Sequence, residues 1–540
     1  MANFTSRVNP NSAEFKQNRQ DMLALIDDMH QITARAAAKS EKSRPRFERR
    51  GQLLPRERLS RLLDPGMPFL ELQNMSGYLM DTTVEAESIP GSSMLVGIGF
   101  INGTRCMVYA DDSGINAGAF YPGGTEKFQR MIKICLDKKL PFVHLVESAG
   151  ADLLKYEVEV WLEAGAMFAG IARLSAAGLP SIVVLHGRSV AGGAYMTGLG
   201  DYVVGVKDNG RAYLAGPALL KAATGEEAGE EELGGAETHA KVSGLVEYLA
   251  EDDAHGLAIA RDIVERLDWN RHCPELPAKD YIEPVYSADE FAGIVPIDYR
   301  KPYDAREVVA RIVDGSDFLE FKPDYGVSML CLHAKVYGHP IGILANNGPI
   351  DPNGATKAAQ FIQLCDQSDI PLVFLQNITG YMVGKEYERA GMIKHGSKMV
   401  QAVTNARVNR ITFQIGASFG AGNYGMCGYG FDPDFLFTWP NAKLGVMGGE
   451  SAAKTMIQVQ RDIMARKGID VDEDALAKKQ QQIIDLFDSQ SSAFYTSGRM
   501  FDDGVIDPRD TRKILGFILQ TCWEANKREV FPNAFGVARM

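Results

Sequence analysis

The sequence predicts an α/β protein made of two sister domains. Three observations carry that reading. Short Val-, Ile- and Leu-rich runs alternate with longer helical stretches, as strands covered on both faces should. A strand–helix–strand unit occurs twice, about 230 residues apart. Each copy then closes a strand with a Gly-rich turn.

In the first copy, Ile132-Lys-Ile-Cys135 leads into Pro141-Phe-Val-His-Leu-Val-Glu-Ser-Ala-Gly150. In the second, Ile362-Gln-Leu-Cys365 leads into Pro371-Leu-Val-Phe-Leu-Gln-Asn-Ile-Thr-Gly380. Further on, Ser181-Ile-Val-Val-Leu-His-Gly-Arg-Ser-Val-Ala-Gly192 aligns with Ile411-Thr-Phe-Gln-Ile-Gly-Ala-Ser-Phe-Gly-Ala-Gly422 at the same spacing. Upstream, Met107-Val-Tyr-Ala-Asp-Asp112 resembles Gly342-Ile-Leu-Ala-Asn-Asn347 at a slightly larger spacing, as a loop of different length would give. Pro141 to Val146 and Ser181 to Leu185 read as buried strands, and Ala164 to Ala176 as the helix between them. The period is far longer than a solenoid's, so the copies are domains. Residues 1–50 read as a helical arm, 51–270 as the first domain and 289–540 as the second. The linker falls at 271–288, in a stretch from Arg266 to Ala288 that holds Trp269 and Pro277.

The net charge of −12 argues against a general nucleic-acid binder, which needs a basic face. The seven cysteines are scattered with no Cys-x-x-Cys pair, which speaks against zinc or thioredoxin-like chemistry and fits a reducing compartment. No apolar run reaches the length of a membrane span. Met1 to Asn18 is polar, without a signal-peptide core, so a cytoplasmic location is expected.

The Gly-rich turns are Ser189-Val-Ala-Gly-Gly-Ala-Tyr195 and Phe419-Gly-Ala-Gly-Asn-Tyr424. Small residues let backbone N–H groups approach a ligand oxygen. A helix start adds unpaired donors and partial positive charge. Together these suit an oxyanion, such as a thioester enolate. Glu147-Ser-Ala-Gly-Ala151 and Asn377-Ile-Thr-Gly-Tyr381 are further Gly-bearing strand ends that face the same task. No phosphate-binding Gly-Lys-Ser/Thr loop, nucleophile elbow or His-Glu-x-x-His motif is present. His186 sits in an apolar strand and reads as a core residue. Oxyanion holes without an evident acid or base suit a reaction in which the substrate brings its own base.

From about Gly51 to Met540 the chain resembles the carboxyltransferase β subunits of biotin-dependent acyl-CoA carboxylases. The motifs that carry the resemblance are Gln52-Leu-Leu-Pro-Arg-Glu-Arg58, Leu145-Val-Glu-Ser-Ala-Gly-Ala151, Ala191-Gly-Gly-Ala-Tyr195, Leu214-Ala-Gly-Pro217 with Lys221-Ala-Ala-Thr-Gly225, Gly234-Gly-Ala-Glu-Thr-His239 and Phe501-Asp-Asp-Gly-Val-Ile-Asp-Pro508. Gly420-Ala-Gly-Asn-Tyr-Gly-Met-Cys-Gly428 and Val446-Met-Gly-Gly-Glu450 look like the methylcrotonyl-CoA and geranyl-CoA branch. The family's first motif usually starts Gly-Lys; Gly51-Gln52 departs from it and weakens any phosphate contact there.

The resemblance implies two crotonase-like domains (ClpP/crotonase superfamily) and an enzyme that is a ligase overall. It implies acyl-CoA mainly on the first domain and biotin, carried by a partner subunit, on the second domain of a neighbouring copy. The Gly192 and Gly193 amides would hold the thioester oxygen, and those of Ala421 and Gly422 the biotin ureido oxygen. Ala149, Gly150, Ala151, Ala191, Phe168, Ala169 and Gly170 fall on the acyl-CoA side; Gly380, Tyr381 and Gly420 fall on the biotin side. No metal is expected in this subunit. The chain lacks a biotin attachment motif and an ATP-binding loop, so a biotin carboxylase and carrier (α) subunit is expected as partner, in an assembly of six such pairs. No nucleic acid or membrane partner is expected. Methylcrotonyl enzymes typically carry two aromatics then Asn where this chain has Phe168-Ala169-Gly170, and the lost ring would make room for a geranyl chain. Methylcrotonyl-CoA is the alternative, followed by propionyl-CoA. A crotonase-type hydratase or isomerase would need an acid beside the turn, for which Glu147 is the candidate. Seven arginines between Lys42 and Arg61 could meet CoA phosphates or face solvent. The acidic run from Gly225 to Gly235 reads as a solvated loop.

Overall fold

A computed structural model describes residues 4–120, 123–151, 158–277, 279–468 and 472–539. The chain divides into two compact units. The first comprises His30–Leu276 with Gly498–Met500 and Gln520–Met540; the second comprises Met1–Met29, Pro277–Ser497 and Phe501–Leu519. The arm expected at the N-terminus holds the long helix α1 (Ala13–Glu41) and a short one, Arg44–Arg49.

The first unit is built on one sheet. Helix α2 (Pro55–Leu62) is followed by β1 (Leu70–Glu71), β2 (Met94–Ile101) and β3 (Thr104–Asp111). Then come α3 (Gly124–Lys138), β4 (Phe142–Ser148), α4 (Val158–Ala176), β5 (Ser181–Val190) and α5 (Gly192–Gly198). The unit continues with β6 (Tyr202–Val206), β7 (Arg211–Tyr213), β8 (Tyr248–Ala250) and α6 (Asp253–Leu267). The strand order is β1-β2-β3-β4-β5-β6-β8, with β7 on the far part of β5. The first three strands pair antiparallel and the rest parallel. Every residue of β4 is buried, as a central parallel strand requires. Val143, Val184 and Val204 pack with Leu257, Ala260 and Val264 of α6.

The second unit repeats the plan. Its strands are β9 (Phe318–Glu320), β10 (Met329–Val336), β11 (His339–Asn346), β12 (Leu372–Ile378), β13 (Arg410–Phe419), β14 (Phe435–Thr438) and β15 (Lys443–Gly445). Helices α7 (Pro352–Gln367), α8 (Met392–Asn405) and α9 (Gly420–Gly425) sit between them in chain order. The order is β14-β13-β12-β11-β10-β9, with β15 on the end of β13. Phe361 and Ile362 of α7 and Met399 and Val403 of α8 pack with Leu372 and Phe374 of β12.

The duplication expected from sequence is present, with one correction of register. Met107 pairs with Phe142 as Gly342 pairs with Leu372, matching the aligned segments. However, Phe142 pairs with Ser181 while Leu372 pairs with Arg410, not Ile411. The second copy is one residue shorter between these strands, and the unbroken apolar run Ile182 to Leu185 in β5 hides the slip. The true register sets Gly192 against Ala421 and Gly193 against Gly422. Both sheets also break register at the same place, between Val146 and Ser148 and between Gln376 and Ile378.

Candidate active site

In the first unit, Ala191 joins β5 to α5 with φ 51° and ψ −108°. An L-residue takes such a backbone only where its surroundings impose it. Its N–H donates to the Tyr213 carbonyl at 3.1 Å, and its carbonyl accepts the Tyr195 N–H at 3.3 Å. Gly193 has no room for a side chain: a Cβ would lie 2.7 Å from Ser189 Oγ and 3.4 Å from the Ser148 carbonyl oxygen. Gly150, beyond β4, has φ 82°, and its Cβ would lie 3.1 Å from the Val190 carbonyl oxygen. The two strand-end turns therefore touch, and Ala149 to Ala151 run beside Ala191 to Gly193. Phe120 N–H donates to the Gly150 carbonyl, and Phe120 and Ala151 form a parallel bridge. The first amides of α5 have no acceptor within the helix.

Phe168 of α4 faces this turn. A Cβ on Gly192 would stand 3.2 Å from Phe168 Cζ, and the Phe168 and Tyr195 rings meet edge to face at 6.5 Å. Ala169 is half-buried. Gly170 points elsewhere: a Cβ there would lie 3.0 Å from Ile132 Cγ2, in the contact between α4 and α3.

In the second unit, Gly420 opens α9 with φ 55°, the counterpart of strained Ala191. A Cβ on Gly422 would lie 2.6 Å from Ile378 Cγ1 and 3.1 Å from Gly380 Cα. Gly380 has φ 137° with open space on its Cβ side. Ile350 N–H donates to the Gly380 carbonyl at 3.1 Å, and Ile350 bridges Tyr381, repeating the Phe120–Ala151 arrangement. Tyr381 is half-buried, with Gly396 against its ring and its hydroxyl 3.9 Å from Met399 Sδ. Burial pushes its phenol up to about 12, so it stays neutral.

A charged cluster lies at the strand ends of the first unit. The buried Arg58 guanidinium donates to Glu147 Oε2 at 2.7 Å and to Asp253 Oδ2 at 3.0 Å. Asp253 Oδ1 is 2.7 Å from His186 Nδ1. Burial works against the Asp253 charge, but His186 and Arg58 outweigh it and hold its carboxyl well below the usual range. Burial lowers the His186 pKa, against the pull of Asp253. These contacts decide two sequence readings. Glu147, the candidate acid for a hydratase, is buried and held by Arg58. Gln52 is buried too, its amide donating to the His186 carbonyl at 2.8 Å. Sequence reasoning missed this cluster, because Arg58 and Glu147 stand 89 positions apart.

Other candidates of the basic segment are also engaged: Arg44 pairs with Glu41 and Glu57, and Arg46 donates to the Ser113 carbonyl. In the acidic run, Glu230 pairs with Arg188 and Arg211, and Glu227 pairs with Lys221. Among the described residues, no helix is long and apolar enough to cross a membrane.

The carboxyl transferase domain family matches residues 47–537. A probable biotin-dependent acyl-coenzyme A carboxylase beta2 subunit of Mycobacterium tuberculosis is 45% identical over 537 residues, covering 99% of both chains. A probable mitochondrial methylcrotonoyl-CoA carboxylase beta chain of Drosophila melanogaster is 42% identical, covering 99% of this chain and 95% of that one. The solved beta subunit of P. aeruginosa geranyl-CoA carboxylase is 48% identical with a TM-score of 0.93, covering 100% of each chain. With its duplicated sheet and paired turns, the chain belongs to the carboxyl transferase family, in the group of acyl-CoA carboxylase beta subunits.

Proposed function

We propose that this chain transfers a carboxyl group from biotin, borne by a separate carrier subunit, to the γ-carbon of geranyl-CoA. The observation that carries the reading is the match of two helix starts, Gly192-Gly193 and Ala421-Gly422, at equivalent points of sister sheets. Two anions form in such a transfer, one on the thioester oxygen and one on the ureido oxygen, and each needs fixed donors.

The Gly192 and Gly193 amides hold the thioester oxygen and stabilise the enolate as the γ-proton leaves. Ala149 to Ala151 and Ala191 line the approach of the thioester. The second turn fits a flat ureido group: Gly380 leaves open space beside it, and Gly422 brings no side chain. Bound biotin supplies the carbon dioxide and the base. The Ala421 and Gly422 amides orient its oxygen, while Gly380 and Gly420 give the backbone its approach and Tyr381 supports α9 from beneath.

For the acyl group, the resemblance sets two rings of methylcrotonyl enzymes against Phe168 and the half-buried Ala169 here, and a methyl side chain cannot fill a second ring's volume. Gly170 contributes to helix packing rather than to that volume. Methylcrotonyl-CoA is the second reading: the 42% identity to a methylcrotonoyl-CoA chain is close to the 48% to the geranyl-CoA one. In the working assembly an α subunit carries biotin, six α–β pairs associate, and the complex acts in the cytoplasm. The test is carboxylation of geranyl-, methylcrotonyl- and propionyl-CoA by the reconstituted complex, compared by kcat/KM. Equal or better turnover of methylcrotonyl-CoA would overturn the geranyl assignment.

A further inference from the structure

The two small-residue turns are equivalent in backbone but braced differently. In the second unit, Asn423 follows Gly422 directly. Its Nδ2 donates to Ser418 Oγ at 2.7 Å, Ser418 Oγ donates to Gln376 Oε1 at 2.6 Å, and Gln376 Nε2 donates to the Met426 carbonyl at 2.7 Å. Gln376 and Ser418 are buried, so the two bonds that Gln376 makes lie out of reach of competing water, while the Asn423 link is half-buried. The order of donors is forced from the Met426 end: a carbonyl only accepts, so Gln376 turns its N–H to it and its Oε1 to Ser418, whose hydroxyl must then donate. The ring of contacts is closed by the Gly428 N–H, which donates to the Asn423 carbonyl at 2.8 Å, and by Thr412 Oγ1, which donates to the Cys427 carbonyl at 2.8 Å.

Among the described residues the first unit has no such chain. The counterpart of Gln376 is Val146, that of Asn423 is Ala194, and the counterpart of Ser418 is Ser189, whose buried hydroxyl has no hydrogen-bond partner among the described residues. The duplication kept the serine and built a polar brace around it in one unit only.

We infer that Gln376, Ser418 and Asn423 are positioning residues for the biotin half of the reaction. They tie the start of α9 to the ends of β12 and β13 and so fix the aim of the Ala421 and Gly422 amides. This rests on the assignment of that turn to biotin. Donors act on an oxyanion only while held in place, so slack in the brace weakens biotin capture and transfer and leaves the acyl-CoA half untouched.

The test is Ser418→Ala in the full chain, assayed as decarboxylation of the carboxylated acyl-CoA with free biotin as acceptor. Asn423→Ala, which cuts one link near the surface, carries the test should Ser418→Ala fail to fold. The expected result is a fall of about tenfold or more in kcat/KM for biotin, with KM for the acyl-CoA within about twofold of wild type. Biotin parameters within about twofold of wild type in a folded variant would overturn the inference, as would an equal rise in the acyl-CoA KM. Absence of biotin-dependent turnover in the wild-type chain would instead overturn the assignment on which it rests.

Discussion

Replacing Gly422 by Ala puts the account under direct strain. Non-bonded carbons rest about 3.5–4.0 Å apart. The new methyl would start 2.6 Å from Ile378 Cγ1, with Gly380 Cα at 3.1 Å and Gly380 N at 3.3 Å. Ile378 is fully buried in β12, so it has nowhere to move. The start of α9 must back away by about 1 Å to restore contact distance. Oxyanion donors work at about 2.7–3.1 Å, so that retreat takes the amides out of range. Losing one donor costs about 2.7–4 kcal/mol of barrier, or about 10²–10³ in kcat. The overpacking also costs about 1–3 kcal/mol of stability, which thermal denaturation would register. The assay is transfer of the carboxyl group from a carboxylated acyl-CoA to free biotin, read as the acyl-CoA formed. A folded Gly422→Ala chain with kcat within about threefold of wild type would refute the reasoning.

The remaining predictions concern the charged cluster, a buried acid and the acyl wall. Arg58→Met leaves Glu147 and Asp253 buried without their cation and should cost about 3–5 kcal/mol, measured by urea unfolding; an unchanged midpoint would contradict the buried pairing. Asp502 is buried, and although Ser497 hydrogen-bonds it, burial raises its carboxyl to about 7. An unfolded chain releases that proton near about 3.9, so the folded form binds the extra proton between these values. Its contribution to stability is therefore full below pH 4 or so and falls as pH rises toward about 7. Asp502→Asn should show a flatter melting temperature between about pH 5 and pH 8 than wild type, and parallel curves would refute the assignment. Ala169→Phe should shift kcat/KM from geranyl- toward methylcrotonyl-CoA by about tenfold or more, and an unchanged ratio would remove Ala169 from the acyl wall.

Much of the fold was legible because strand and helix periods are written in side-chain hydrophobicity. Phe142 to Val146 and Leu372 to Gln376 are buried strands whose neighbours the repeat identifies. Both turns were legible too, since only small residues fit beside Ser189 or Ile378. The one-residue slip between copies was not, because the unbroken apolar run Ile182 to Leu185 in β5 fits the alternating β13 in either register, and Ala191-Gly192 also matches Ala421-Gly422 in the shifted one. Pairings across long separations were also hidden. The Arg58 motif reads as a free basic face until helix α2 sets it against Glu147 and Asp253. Gly170 shows the same limit: a missing side chain says that space is needed, but Ile132 decides whose space it is.

The most direct test of the central claim is a structure of the assembled protein with acyl-CoA and biotin bound. The account predicts the thioester oxygen about 2.7–3.1 Å from the Gly192 and Gly193 nitrogens and the ureido oxygen at a similar distance from those of Ala421 and Gly422. Either oxygen bound well away from these amides, or held by side chains instead, would contradict it.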